Sequence, residues 1–598
     1  MMLEDRLKSA RNVKSIATVA LFAGIITLFG CAKRDQAVAD VAARPNILVI
    51  LADDLGYSDI GPFGGEIKTP NLDALAASGL TMSNFHVHTV CTPTRAMLLT
   101  GVDNHLAGIG TMAGEQRGAQ VGAKGYEAYL NDSVVTIASL LKDAGYETMI
   151  SGKWDLGGRN DEALLPDKRG FDKSFVLVEG SADHFAEIPA LAELDSIHYR
   201  ENGEAVHIPP DFYSSDYYAG KIIEQIGDRK SDDAPFFAYL AFTAPHYPLQ
   251  APDGYIEKYA GVYKAGYEKI RLARIARMKQ LGVISKEFQA AEPSGEWPRW
   301  EELSPELRAL EVRRMQVYAG MVEAMDANIG RVIDHLKKIG AYENTLIVFL
   351  SDNGAEGGNP LDWAPFYFDW AESTYDLSLE NTGRPGSFAW YGPQWAHVSA
   401  APFRLFKGFA TEGGTRSPTI IVEPGRIKSG TRSDEYATVL DLPATFLDVA
   451  HIAPPGAIYK GKDIHPQEGR SLANFLYKNE TPVHGPDDVT ALEILDRRSV
   501  RKGDWKIVWS NPPWGEKGWE LFNVVDDPAE AHNLAVSNPE KLEELLALWR
   551  DYVERDGLIL LDDYYMGWTN GKSHFTWLPP SMRGAENERN NDPKPANE

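Results

Sequence analysis

Cysteine is nearly absent from this chain: two residues in 598, Cys31 and Cys91. A disulfide framework is excluded as the source of stability, and we expect no disulfide at all. Basic charge is also scarce, with 60 Lys and Arg against 85 Asp and Glu and a formal charge of −25. That balance argues against nucleic acid as the main partner. It would also repel an anionic substrate at long range, so recognition of one has to come from a few cations gathered in a cleft. Beyond the first thirty residues no run is long and apolar enough to span a bilayer, and internal repeats are lacking. What is there is a long body with 43% hydrophobic residues, enough for a sizeable core and long enough for more than one domain.

The N-terminus has the order of a targeting segment. Arg6, Lys8, Arg11 and Lys14 precede an apolar run from Ile16 to Phe29, too short to span a membrane, which ends in Leu28-Phe29-Gly30-Cys31. This resembles the lipobox of bacterial lipoproteins, in which the Cys is lipidated and becomes the mature N-terminus; an ordinary cleavable signal or an uncleaved anchor is the plainer alternative. On the lipobox reading, residues 1–31 are a signal segment and 32–44 a linker. The protein is then expected in the bacterial periplasm, touching a membrane only through the lipid on Cys31. Cys91 becomes the sole remaining thiol, and a lone thiol in an oxidising compartment needs either burial or a chemical task.

Buried-strand patterns recur along the body. Asn46–Ala52 (N-I-L-V-I-L-A), Glu147–Ser151, Phe236–Phe242, Thr345–Leu350 and Pro418–Val422 read as strands. Asn71–Ser78, Val134–Ala144 and Tyr436–Val449 read as helices, and 260–338 as long helices interrupted near Pro293–Trp300. Strands alternating with helices imply an α/β sheet. From about Val489 shorter strands separated by turns, followed by a helix over Pro539–Glu554, predict a small antiparallel sheet with one helix. We divide the chain into a catalytic domain over 45–488, a C-terminal sheet-plus-helix subdomain over 489–582 and a disordered polar tail over 583–598.

Chemistry-bearing residues cluster at the predicted strand ends. Asp53 and Asp54 follow the first strand at the carboxyl edge, where open α/β sheets place ligands, although a solvated D-D-L-G turn is the bland alternative. Asp352 and Asn353 follow a second such strand. If both strands share one sheet, the four oxygen-bearing side chains converge on a hard cation, calcium or magnesium rather than zinc. Cys91 opens C-T-P-T-R, where Pro93 suits a first helical turn, so Cys91 is predicted at a helix N-terminus. That position lowers a thiol pKa and gathers anions, whereas a buried structural Cys is the commoner fate of a lone thiol.

C-T-P-T-R followed by T-G resembles the signature of the sulfatases, in which the Cys is oxidised after translation to formylglycine (3-oxoalanine). Further motifs follow in family order: D-D-L-G, G-K-W at Gly152–Trp154, A-P-H at Ala244–His246, S-D-N-G at Ser351–Gly354 and K-G-F-x-x-E-G-G-T-R-x-P from Lys407 to Pro418. The resemblance runs from Arg44 to about Leu560 and is close to bacterial arylsulfatases. It implies an α/β sandwich like that of alkaline phosphatase, with a large mixed central sheet and a smaller C-terminal antiparallel sheet. It also implies hydrolysis of a small-molecule sulfate monoester, aryl or alkyl, to alcohol or phenol and inorganic sulfate, through a formylglycine diol and a sulfo-enzyme intermediate. The maturing enzyme that generates formylglycine is the implied partner.

By the same resemblance, Asp53, Asp54, Asp352 and Asn353 hold calcium, with magnesium the poorer fit, and the matured Cys91 or a sulfate oxygen completes the shell. Arg95 steadies the nucleophile and the metal carboxylates. Lys153, His246 and Lys407 grip the sulfate and the leaving oxygen; His246 is the candidate general acid, on the ground that an imidazolium donates near neutral pH. One position departs from the pattern. Where the family reads G-K-W-H-L-G this chain has Asp155, which accepts a proton but brings no positive charge, so altered pH dependence or substrate preference is expected. Two alternatives remain: a phosphonate monoester or phosphodiester hydrolase on the same site, and a non-catalytic binder of sulfated ligands if Cys91 stays a thiol. The alcohol half of the substrate is not legible; the rim loop Asn359–Gly392 is rich in aromatics that either meet a ring-bearing substrate or pack the loop.

Overall fold

The apolar run after Pro45 has no polar side, and the protein buries both of its faces. In the computed structural model, Asn46–Ala52 is strand β1, buried throughout; the described residues are 44–561 apart from 231–232, 293–296, 361–365, 511–513 and 516–517. The signal segment with Cys31, the linker before Arg44 and the polar tail lie outside them.

Strands are numbered along the chain. β1 pairs in parallel with β7 (Phe236–Ala241) on one side and β8 (Thr345–Ser351) on the other. Beyond β7 come β3 (Glu147–Lys153), β4 (Lys173–Leu177), β5 (Tyr199–Glu201) and β6 (Glu204–Val206). Beyond β8 come β9 (Arg416–Val422), β2 (Leu80–His86) and β10 (Thr431–Ser433), with β11 (Ala437–Thr438) also paired to β2. β9 runs antiparallel to both its neighbours, so the 11-stranded sheet is mixed.

Alternation along β1 assigns the two layers. Leu48, Ile50 and Ala52 enter one core with the helices Pro70–Ser78, Ser214–Ile226 and Pro305–Lys338. Ile47, Val49 and Leu51 enter the other with Cys91–Thr100, Ile137–Asp143 and Asp441–Val449. The result is the expected sandwich. The long helix Pro305–Lys338 starts where Ser304 caps Leu307 N–H and Pro305 occupies the first turn, and it buries Met315, Val322, Met325 and Ile329. Each such side chain contributes about 2 kcal/mol.

Two expectations are corrected. The helix predicted over Tyr436–Val449 begins only at Asp441, because Thr438 is drawn into β11 and donates its N–H and hydroxyl to Asp441 Oδ2. β2 (L-T-M-S-N-F-H) was not predicted; its Thr81 and Ser83 are buried at positions where a periodicity argument wants apolar residues. A two-stranded ribbon, β12 (Ile458–Tyr459) and β13 (Lys462–Asp463), precedes the C-terminal part.

There, β14 (Val489–Ile494), β15 (Arg497–Lys502), β16 (Trp505–Ser510) and β17 (Gly518–Asn523) form an antiparallel meander. Leu545, Trp549 and Tyr552 of the helix Pro539–Asp556 cover one face, against Val500, Ile507 and Leu521. The other face places Val508 and Phe522 against Ala410, and Lys506 reaches Glu412 at 2.6 Å and Glu530 at 2.9 Å. The small sheet therefore backs the segment that carries Lys407.

Candidate active site

Register creates the site. β1 and β8 are neighbours with Ala52 opposite Ser351, so the Asp-Asp pair after one and the Asp-Asn pair after the other must meet. All four side chains are buried. Asp54 adopts a left-handed backbone, φ 67, which turns it beside Asp53; a short polar residue tolerates this better than a branched one. Lys153 ends β3. Before it Gly152, φ 120, passes so close to β7 that an added Cβ would stand 1.8 Å from the Ala241 carbonyl oxygen. Only glycine fits there.

The carboxylates are gripped on one side and bare on the other. Lys153 Nζ donates to Asp53 Oδ2 at 2.9 Å, and Arg95 donates through Nε (3.0 Å) and Nη2 (2.6 Å) to Asp352 Oδ2. Lys407 Nζ lies 2.7 Å from Asp54 Oδ1, to which Asn353 Nδ2 also donates at 2.7 Å. Asp53 Oδ1, Asp54 Oδ2 and Asn353 Oδ1 are buried and accept no hydrogen bond. Orphaned oxygens of that kind are expensive unless something positive meets them. Burial raises the Asp53 carboxyl and pushes Asp54 and Asp352 up to about 6, against the pull of the neighbouring lysines and Arg95. Ligating atoms of Asp53, Asp54 and His246 lie within 4.8 Å of one another, as do those of Asp53, Cys91 and Asp352. A buried, oxygen-rich set with unbonded acceptors fits a hard divalent cation.

Cys91 is the first residue of the helix Cys91–Thr100, as expected, but its thiol is not acidified. Burial pushes it up to about 12, outweighing the help of Lys153 and Lys407. A thiol so held stays protonated and is a poor nucleophile. Arg95 donates to Asp352, one of the expected metal carboxylates, and to the Lys153 carbonyl, with no hydrogen bond to Cys91 among those it makes.

His246 Nδ1 donates to the Tyr247 carbonyl at 2.6 Å, which leaves Nε2 with the lone pair, 3.6 Å from Asp54 Oδ2. Burial first, then Lys407 and Lys153, holds this imidazole well below its usual pKa. Burial thus disfavours the imidazolium expected near neutral pH. Lys407 is held well above its usual range by Asp54 and Glu356, the latter at 3.2 Å, despite its burial. Asp155, φ 57, accepts from Thr92 Oγ1 at 2.7 Å and from Cys91 Sγ at 3.4 Å through one oxygen, Oδ2.

Two participants were missed in the sequence. Glu356 lies four residues past Asp352 in S-D-N-G-A-E, where a third acid was signal enough; Thr92 sits at a variable position of C-x-P-x-R and carried none. In the rim loop, Tyr367, Tyr375, Phe388 and Trp390 are buried together with Tyr247, so these aromatics pack the loop.

A lone buried cysteine at a helix start, flanked by two lysines and a cation-ready carboxylate cluster on an α/β sandwich, points to a hydrolase of anionic esters. The sulfatase family profile matches residues 45–452, and that of the N-sulphoglucosamine sulphohydrolase C-terminal region matches 403–553. The chain belongs to the sulfatase family. It is 43% identical over 535 residues to an uncharacterised sulfatase of Schizosaccharomyces pombe (88% of this chain, 96% of the relative). It is 42% identical over 439 residues to an arylsulfatase of Klebsiella aerogenes (72% and 91%). Among solved structures, Ps i-CgsB in complex with k-i-k-neocarrahexaose superposes with a TM-score of 0.59 at 26% identity, covering 85% of this chain and 92% of that one. The protein is a sulfuric ester hydrolase, and its family generally uses formylglycine and a divalent metal.

Proposed function

We propose that Cys91 is matured to formylglycine and that the site hydrolyses aryl or alkyl sulfate monoesters beside a calcium ion. The observation that carries this reading is the convergence of the C-T-P-T-R helix start with three buried, unbonded oxygens. Formylglycine at residue 91 would, once hydrated, supply one hydroxyl as nucleophile toward sulfur and a second for release of sulfate by C–O cleavage. Asp53, Asp54, Asp352 and Asn353 would hold the cation, which supplies Lewis-acid polarisation of the sulfate oxygens.

The chain's own residues have separate tasks. Lys153 and Lys407, buried and cationic, bind the sulfate and offset charge on the leaving oxygen. Arg95 orients Asp352. His246 begins neutral with its lone pair facing the site, so it acts as a general acid only once the bound anion supplies the negative charge that favours its protonation. Asp155 accepts the proton of residue 91 as sulfate departs. The substrate's alcohol half is a phenol or a sugar hydroxyl, in keeping with the arylsulfatase relative and with the oligosaccharide complex of the structural neighbour.

We also propose export and lipid anchoring through Cys31, supported by the basic-then-apolar order of residues 6–31; a fatty-acid probe should label the chain and not its Cys31→Ser variant. The catalytic reading is tested by parallel kinetics on aryl sulfate and aryl phosphonate monoesters. Preferential sulfate release supports it; a clear phosphonate preference overturns it in favour of the phosphorus-ester reading.

A further inference from the structure

Asp155 has two buried suitors. One is the Thr92 hydroxyl at 2.7 Å, which must be the donor because a carboxylate only accepts; the other is Lys153 Nζ at 3.8 Å, fully buried and already paired with Asp53. Both address the same oxygen, Oδ2, which also faces Cys91 Sγ at 3.4 Å. An ammonium is the stronger partner in a buried site, so an unrestrained Asp155 would close on Lys153 and turn away from residue 91. The backbone limits this swing, since Asp155 N–H is bonded to the Val178 carbonyl at 3.2 Å. On the far side the carboxylate occupies space that Gly180 leaves open, since an added Cβ there would stand 3.0 Å from Asp155 Oδ1. The remaining restraint is Thr92, carried on the same helical turn as residue 91.

We propose that Thr92 is a positioning residue that holds Asp155 on residue 91 against the pull of Lys153, and that the two act as a unit in sulfate release. The inference rests on the reading that residue 91 carries the chemistry. In the release step Asp155 Oδ2 takes the proton of the free residue 91 hydroxyl. That oxygen's electron pair forms the aldehyde C=O, and the bond from the same carbon to the sulfate oxygen breaks with its electrons leaving on sulfate. Asp155 then returns the proton to water. Thr92 touches none of the bonds that change; it keeps the acceptor in place.

Residue 92 is a variable position of C-x-P-x-R, so Thr92→Val and Thr92→Ser retain the fixed residues. The test is a cycle of Thr92→Val, Thr92→Ser, Asp155→Asn and the Thr92→Val/Asp155→Asn double variant, with rates expressed per matured residue 91 as counted by peptide mass spectrometry. Thr92→Val is expected to lower kcat by about 10- to 100-fold, the range typical of an outer-shell partner. KM should move less than about threefold, and Ser should restore kcat to within about threefold. Rapid quenching during turnover should show residue 91 of Thr92→Val accumulating one added SO3 mass relative to the parent protein. In the Asp155→Asn background, Thr92→Val should have no further effect. A Thr92→Val enzyme with parental kcat, a loss confined to KM, or full additivity in the double variant overturns the pairing. A fully matured parent protein inactive on sulfate esters overturns the catalytic reading instead.

Discussion

The helix Cys91–Thr100 begins in one buried cluster of charge and ends just before another, and the two are built on opposite terms. At its start, Asp53, Asp54 and Asp352 face three cations, yet three oxygens of the cluster accept no hydrogen bond and burial raises all three carboxyls. Past its end, His105 is clasped by Asp103 (3.2 Å) through Nδ1 and by Glu493 (3.0 Å) through Nε2, and Tyr552 donates to Asp103 at 2.9 Å. There the carboxylates hold His105 up at about 9, and His105 holds Asp103 below the usual range. The second cluster has its carboxylate oxygens hydrogen-bonded and ties the loop after the helix Cys91–Thr100 to β14 and the helix Pro539–Asp556. The first is left with unbonded acceptors. Burial alone does not separate function from structure.

The contrast can be broken from either side. Cys91→Ala should remove about 10⁴-fold or more of sulfatase activity while leaving the melting temperature unchanged, since the lost thiol supports no balanced network. His105→Leu should do the reverse, lowering unfolding free energy by about 3–5 kcal/mol through two unpaired buried carboxylates, with turnover per folded molecule retained; chemical denaturation reads the first quantity. Saturating calcium at about 100 times its Kd should stabilise the parent protein by about 2.7 kcal/mol and Asp54→Asn by much less. Without metal, Asp54→Asn should be no less stable than the parent, because it removes a carboxylate that burial disfavours.

A pH signature separates the two clusters as well. His105 has a folded pKa of about 9 against an unfolded value near 6.5, so its contribution is complete below 6.5 and is lost as pH rises through 9. Its size is on the order of 3 kcal/mol. Asp54 and Asp352, raised to about 6, place their loss lower: metal-free protein loses stability as pH rises from about 4 to 6, and calcium should abolish that fall. Melting curves against pH, with chelator and with calcium, separate the two windows.

Much of this was legible in the sequence. Continuous apolar runs announced β1, β7 and β8, and the Asp-Asp and Asp-Asn pairs that follow β1 and β8 announced the cluster, because a parallel register brings such residues together. The electrostatics were not legible. A helix start predicts an acidic thiol and an A-P-H motif an imidazolium, but full burial reverses both, and burial of one particular atom is a tertiary property. The His105 cluster was equally hidden: Asp103 lies hundreds of residues before Glu493 and Tyr552, and the three share no motif. Asp155 was visible as a departure, whereas its contest between Thr92 and Lys153 required coordinates.

The central claim is that residue 91 does its chemistry as an aldehyde. Peptide mass spectrometry of the C-T-P-T-R segment, after expression with a formylglycine-generating enzyme, tests it directly. The account predicts a mass for residue 91 corresponding to oxidation of the thiol to formylglycine, in the fraction of molecules that releases sulfate. An unmodified thiol in protein that hydrolyses sulfate esters at full rate would contradict it.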